Sequence, residues 1–243
     1  MKFTRLFSIA TFFISVVFAD VDSNTTSSRD LYKRIRADDA AVLFIDHQSG
    51  LGSLVQDFSA VEFKNNVLAL ADISKYFNLP AVLTTSFEDG PNGPIFSELK
   101  ETFPNASFIP RPGQINAWDN ADFVNAVKAT GRKQLLISGI VTDVCVAFAA
   151  LSAINEGYEV FVVTDASGTF NEVTRYAAWD RMSRAGIQLV NWFAVAGELL
   201  RDWRNDPAGS LSNLASKHLP MSSYLIQSRK AAEDFGKKGG NSP

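Results

Sequence analysis

"QLLISGIVTDVCVAFAALSAINEGYEVFVVTD", residues 134–165, reads as strand, helix, strand. The flanking runs, QLLISGI (134–140) and EVFVVTD (159–165), are nearly continuous in apolar residues, the mark of strands covered on both faces in a parallel sheet. Between them Val144, Ala147, Phe148, Leu151 and Ile154 recur at steps of three and four, so one face of a helix from Asp143 to Glu156 packs on that sheet. Gly157 stands where this helix stops, as Gly131 does after the helix before it.

The same alternation runs outward from this unit. AAVLFID (40–46), AVLTTS (81–86), SFIP (107–110) and IQLVNW (187–192) read as four more strands, six in all. Helical patterns fall between or after them: Glu62–Tyr76, Ile95–Lys100, Asp122–Ala129, Glu172–Arg184 and Val195–Trp203. Strands alternating with helices predict an α/β sandwich with right-handed crossovers. No internal repeat or linker divides the body.

Composition agrees with one globular body. Of 243 residues 46% are hydrophobic and 20% charged, with a formal charge of −3. A body of somewhat over 200 residues buries about 70% of the surface its unfolded chain exposes, so it needs no staple. With Cys145 the single cysteine, no intrachain disulfide forms. The weakly acidic balance and the lack of a basic stripe argue against a nucleic-acid partner. Only His47 and His218 are present, far apart in the chain, so a His-rich zinc site is not expected. No Walker loop, G-x-G-x-x-G or G-x-S-x-G elbow occurs.

The termini read differently. MKFTR supplies positive charge, LFSIATFFISVVFA an apolar run and Val17-Phe18-Ala19 a small-residue cleavage pattern, which together predict a signal peptide over residues 1–19. At 1.5 Å per residue the apolar run spans about 21 Å, short of the roughly 30 Å of a membrane core. Secretion with cleavage after Ala19 is therefore expected, and no membrane association once the leader is gone. Residues 20–38 read as a flexible lead-in, 39–220 as the folded body and 221–243 as a polar, frayed tail. Asn24 and Asn105 open Asn-x-Ser/Thr sequons that a secreted chain can glycosylate.

Chemistry belongs beyond the carboxyl ends of parallel strands, near the point where strand order reverses. Three residues follow strand ends there: Asp46, Arg111 and Cys145. Cys145 lies in the first turn of its helix, where unpaired N–H groups and the helix dipole favour a thiolate and offer an oxyanion site. The plain alternative is a small apolar residue in a helix. Asp46 would take the thiol proton and return it to a leaving group, or else cap a loop or make a structural ion pair. Arg111 would orient this pair, or serve as an ordinary surface cation. A cysteine–histidine pair using His47 requires that residue to turn toward the same side as its neighbour Asp46, against strand alternation. Gln48 and Trp118 are candidates to line a substrate pocket, with core or subunit packing the alternative for Trp118. Trp179, Trp192 and Trp203 sit in regular elements and read as structural.

The set Asp46, Arg111 and "GIVTDVC" (139–145) resembles the isochorismatase-like cysteine hydrolases, whose triad is Asp, Lys and Cys. AAVLFIDHQSGL, NLPAVLTTSFEDGPNGP, RPGQINAWDN, EGYEVFVVTDASGTFNEVTR and ELLRDWRND, in that order, are similar to the YcaC-like subgroup across about Asp39–His218. The resemblance implies a Rossmann-like three-layer α/β/α sandwich with a six-stranded parallel sheet, Cys145 as nucleophile and Asp46 as base. It also implies a cis peptide before the cysteine, expected at Val141-Thr142, with that loop's N–H groups aimed at the oxyanion. Arg111 stands where the broad family has lysine; it keeps the charge but gives up no proton. The metal-binding histidine spacing of the nicotinamidase branch is missing, so no metal or other cofactor is expected.

The function expected is thiol-dependent hydrolysis of a small amide- or ester-like substrate by a homo-oligomer. Secreted isochorismate hydrolysis and a non-catalytic effector or binding role are the competing expectations. Isochorismate is a vinyl ether cleaved without a cysteine nucleophile in the type enzymes, so Cys145 points away from it.

Overall fold

The computed structural model describes residues 32–239. The chain divides into two units, Met1–Lys33 and Arg34–Pro243, and the fold below is that of the second. The predicted leader, its cleavage site and Asn24 lie outside the described residues.

Six strands form: β1 Ala40–Ile45, β2 Ala81–Ser86, β3 Ser107–Arg111, β4 Gln134–Gly139, β5 Glu159–Val163 and β6 Gln188–Val190. All pair in parallel, in the order β3-β2-β1-β4-β5-β6. The helices are α1 Ser49–Gly52, α2 Ala60–Tyr76, α3 Ser97–Thr102, α4 Ala121–Ala129, α5 Ala147–Asn155, α6 Glu172–Arg184, α7 Trp192–Leu200, α8 Ser210–His218 and α9 Ser222–Gly239. Strand order reverses between β1 and β4, and the helices change face with it. Ala40, Val42 and Phe44 pack with residues of α2, α7 and α8, whereas Ala41, Leu43 and Ile45 pack with those of α4, α5 and α6. Both faces of β1 are thus covered, which is why its sequence shows no polar alternation. Each fully buried Leu, Ile or Phe here stabilises the fold by roughly 1.5–3 kcal/mol.

Local chemistry sets the ends. Ser59, Asn120, Asn171 and Asn191 each accept a backbone N–H with their side chains at the first turns of α2, α4, α6 and α7. Gly131 and Gly157 follow α4 and α5 with φ of +67° and +88°, a conformation glycine adopts without a Cβ penalty.

Several expectations need correction. The lead-in does not run to residue 38. Ile35 is fully buried, its N–H donates to Glu198 (2.8 Å) and that of Arg36 donates to Gln134 (2.7 Å). α7 begins at Trp192 rather than Val195 because Asn191 caps it, which also shortens β6. Residues 222–239 are helical rather than frayed, although residues 224–237 of α9 are exposed. Of the tryptophans read as structural, Trp192 is buried but Trp203 is exposed on a short 3-10 turn. Asn105 lies exposed in the turn before β3, a position open to modification.

Candidate active site

β1 is followed directly by Asp46, whose φ of +56° turns the chain sharply while its N–H still donates to the Thr84 carbonyl of β2 (3.0 Å). Such a conformation is uncommon for a residue with a side chain, and aspartate tolerates it better than most. The turn keeps the carboxyl at the sheet's upper edge. Arg111 closes β3, two strands away, and its side chain crosses β2 to reach Asp46. Its Nε donates to Thr84 Oγ1 (3.0 Å), its Nη1 to the Gln114 carbonyl and its Nη2 to Asp46 Oδ1. Both partners of this ion pair are fully buried. Thr84 in turn donates to the Ile109 carbonyl (2.7 Å), so the guanidinium is held along its length.

Cys145 arrives from the other side of β1. After β4 the chain passes through a cis Ile140–Val141 peptide and a π-helical turn, Thr142–Val146, that leads into α5. The approach is close: a Cβ on Gly139 would collide with the Ile45 carbonyl oxygen, so only glycine lets β4 lie this near β1 at the site. Replacement of Gly139 by alanine is expected to force the two strand ends apart. Overpacking of this kind costs about 1–3 kcal/mol, and each kcal/mol lowers Tm by about 2–4 °C in a chain of this size. A thermal melt checks it.

The thiol and the carboxyl share one environment. The Cys145 thiol and the Asp46 carboxyl act on each other electrostatically, and Asp46 Oδ2 is buried without a hydrogen-bond partner. Burial raises the Asp46 pKa, and Arg111 and the thiol pull it back without cancelling that rise. Burial first, and then the Asp46 carboxylate, push the Cys145 thiol up to about 12. A backbone hydrogen bond from Val141 and the charge of Arg111 act the other way and lose. The expected thiolate at a helix start is therefore not the resting state. The thiol keeps its proton until a base removes it.

Not every predicted residue joins the site. The cis bond lies one residue before the expected Val141-Thr142. The Thr142 N–H donates to the Gly168 carbonyl (3.0 Å), so it has no donor left for an oxyanion, whereas that of Val141 faces the sulfur. Gln48 is buried and its amide is spent on structure: Nε2 donates to the Ser86 (3.0 Å) and Gly93 carbonyls, and Oε1 accepts the Ser86 N–H (2.8 Å). It fixes the loop after β2 rather than a substrate. Trp118 Nε1 donates to Glu156 (2.9 Å), just past the last residue of α5. Eleven residues of helix, about 16 Å, separate that end from Cys145.

His47 points into the core, against Phe44, Phe63 and Phe96, with Nε2 on the Ala166 carbonyl (3.1 Å). Burial lowers its pKa to about 4, so it is neutral and no partner for the thiol. The unfolded chain binds this proton more readily, so the His47 contribution to stability is complete above pH 6.5 and falls as pH drops toward 4. The loss is about 3 kcal/mol. Asp165, which burial raises to about 6, changes stability in the opposite direction over much of that window, masking the effect in the native chain alone. The stability difference between native protein and a His47→Gln variant is expected to shrink by about 3 kcal/mol between pH 7 and pH 4, as read by urea unfolding.

Residues outside the predicted set support the thiol turn. Asp143 accepts from Thr169 Oγ1 (2.7 Å), and the Thr169 N–H donates to Asp57 (2.9 Å). Arg175 pairs with Asp57 (3.6 Å) and packs among the rings of Phe58, Tyr176 and Trp179. Among the described residues, no group of three or more metal-ligating side chains forms.

The fold thus brings a buried Asp46–Arg111 pair and Cys145 to the switch point between β1 and β4. The isochorismatase domain family matches residues 19–193. The chain belongs to the isochorismatase family. A relative from Escherichia coli (strain K12), probable hydrolase YcaC, is 66% identical over 197 residues, covering 81% of this chain and 94% of its own. The structure of YcaC from Pseudomonas aeruginosa with hexane-2,5-diol and covalent acrylamide is 68% identical with a TM-score of 0.80, over 82% of this chain and 98% of that one. The Escherichia coli YcaC structure, described as an octameric hydrolase of unknown specificity, is 65% identical with a TM-score of 0.80, over 83% and 98%. The protein is thus an isochorismatase-family hydrolase with the Rossmann-like α/β fold of YcaC.

Proposed function

We propose that the protein hydrolyses a small amide- or ester-like substrate through an acyl group carried on Cys145. The observation that supports this most is the half-buried thiol of Cys145 interacting with a fully buried Asp46 whose Oδ1 is held by Arg111 and whose Oδ2 has no hydrogen-bond partner. A thiol with a pKa of about 12 is almost wholly protonated at neutral pH, so the step needs a base in contact with it. Asp46 takes the proton as sulfur attacks the carbonyl carbon. The resulting oxyanion is held by the N–H of Val141 and that of Cys145 in the first turn. As the intermediate collapses, Asp46 gives the proton to the departing amine or alkoxide. Water then adds to the thioester with Asp46 again as base, the acid leaves, and the proton returns to sulfur. Arg111 stabilises the ionised Asp46 and never transfers a proton.

Covalent acrylamide on the Pseudomonas aeruginosa relative supports a reactive nucleophile in this subgroup. Here Cys145 is the single cysteine. Incubation with acrylamide, followed by peptide mass spectrometry, is expected to give one adduct, on Cys145, and to abolish turnover of a panel of small amides and esters. Full turnover with Cys145 completely modified would sink the proposal.

The octamer described for the Escherichia coli relative supports a homo-oligomer for this chain as well. Light scattering on the purified protein is expected to read eight chains, and a monomer would contradict it. We further propose that residues 1–19 direct export; N-terminal sequencing of the exported protein should begin at Asp20.

A further inference from the structure

We infer that the substrate carries no carboxylate and presents an uncharged, apolar acyl group to Cys145, a reading that rests on the thiol mechanism proposed above. The first observation is the state of the cations beyond the carboxyl ends of β1 to β5. The loops and first helical turns there hold three: Arg111, Arg175 and Lys100, the last exposed with its Nζ over the Phe108 ring (3.9 Å). Arg111 is fully buried, with Nε, Nη1 and Nη2 donating to Thr84, Gln114 and Asp46. Arg175 donates to the Asp57 carbonyl (3.0 Å) and to Glu172 (3.2 Å), lies against the Asp57 carboxylate and is enclosed by three rings. Lys64, one turn into α2, is paired with Glu98 (2.6 Å). The same loops also carry Glu88, Asp89, Asp119 and Asp143. A substrate carboxylate entering here would lose water and meet acids, with Arg111, Arg175 and Lys64 already paired to carboxylates, which is the unfavourable case for a desolvated charge.

The second observation is what the loops expose instead. Leu54 after β1, Phe87 after β2, Ile115 after β3 and Phe170 after β5 are all exposed large apolar side chains. Three of them are tied to the site through their neighbours. The Phe87 N–H donates to the Arg111 carbonyl (2.9 Å), Ile115 follows the residue whose carbonyl holds Arg111, and Phe170 follows Thr169, the partner of Asp143. Apolar side chains thus stand exposed on four separate loops at the carboxyl end of the sheet, the end from which Cys145 is reached, whereas scattered surface apolars would need no explanation. This arrangement rewards burial of an alkyl or aryl group. It disfavours isochorismate, a dicarboxylate.

A matched pair of probes tests this: p-nitrophenyl butyrate and mono-p-nitrophenyl succinate, whose acyl chains differ by a terminal methyl against a terminal carboxylate. The native protein is expected to show kcat/KM higher for the butyrate by on the order of 10²-fold, with a butyryl adduct on Cys145 in quenched samples. Equal handling of the two esters, or a preference for the succinate, with acylation still on Cys145, would overturn the inference while leaving the thiol mechanism standing. Turnover of both esters unchanged in a Cys145→Ala variant would instead overturn the mechanism, and this inference with it.

Discussion

Replacement of Asp46 by asparagine is expected to lower turnover by about 10²- to 10⁴-fold, the range supplied by a positioned general base. The same change should alter thiol reactivity in a distinct way. In the native protein the proton leaving sulfur has an acceptor in contact with it, so the rate of alkylation by iodoacetamide should be nearly independent of pH across the neutral range. Without Asp46 the proton must go to solvent. The carboxylate's part in raising the thiol pKa vanishes with it, and the charge of Arg111 still lowers that pKa. The variant thiol should therefore titrate below 12, and its alkylation rate should climb about tenfold per pH unit up to that lowered pKa. At alkaline pH the variant becomes the better nucleophile and the poorer catalyst. A variant that kept both its turnover and its flat alkylation profile would remove Asp46 from the mechanism.

The raised thiol pKa also bears on compartment. An exported lone cysteine faces oxidation, and oxidants react with the thiolate rather than the thiol. Cys145 is half-buried with a raised pKa, so under the mechanism proposed above it is guarded at rest and activated only when an electrophile occupies the site. The proposed export and the proposed catalytic role of Cys145 are chemically compatible for this reason.

Much of this was legible in the sequence. All six strands and the longer helices between them follow from apolar runs and three- to four-residue periodicity, because a sheet covered on both faces leaves an unmistakable pattern. The residues at strand ends also follow, since parallel topology dictates where a site opens. What escaped were features set by tertiary partners. The short α1 is held by the loop after β2, through Ser49 N–H on the Pro94 carbonyl and Gly50 N–H on that of Asn92. Gln48 looked like a polar residue beside the site, yet its neighbours across the fold consume every donor and acceptor of its amide. The protonation of Cys145 was misread because local position favours the thiolate, while burial and the nearby carboxylate, neither visible locally, outweigh it. Thr84 carried a usable signal: strand register puts it between Ile45 of β1 and Ile109 of β3, on the path from Arg111 to Asp46.

Removal of the Arg111 side chain, as Arg111→Ala, is expected to destabilise the fold by about 3–5 kcal/mol, because Asp46 would remain as an unpaired buried charge. At about 2–4 °C per kcal/mol the melting temperature should fall by roughly 6–20 °C. Arg111→Lys should recover part of this loss but not all, since one ammonium cannot serve Thr84, the Gln114 carbonyl and Asp46 together as the guanidinium fork does. The ion pair is a functional device rather than a source of net stability if an apolar pair can replace it at no cost. The double variant Asp46→Leu with Arg111→Met, which empties the site of both charges, should melt near the native temperature yet show no turnover. Calorimetry on the three variants separates these roles. A double variant as unstable as Arg111→Ala would show that the pair holds the sheet together, and a stable Arg111→Ala would show that Asp46 is neutral in the native site.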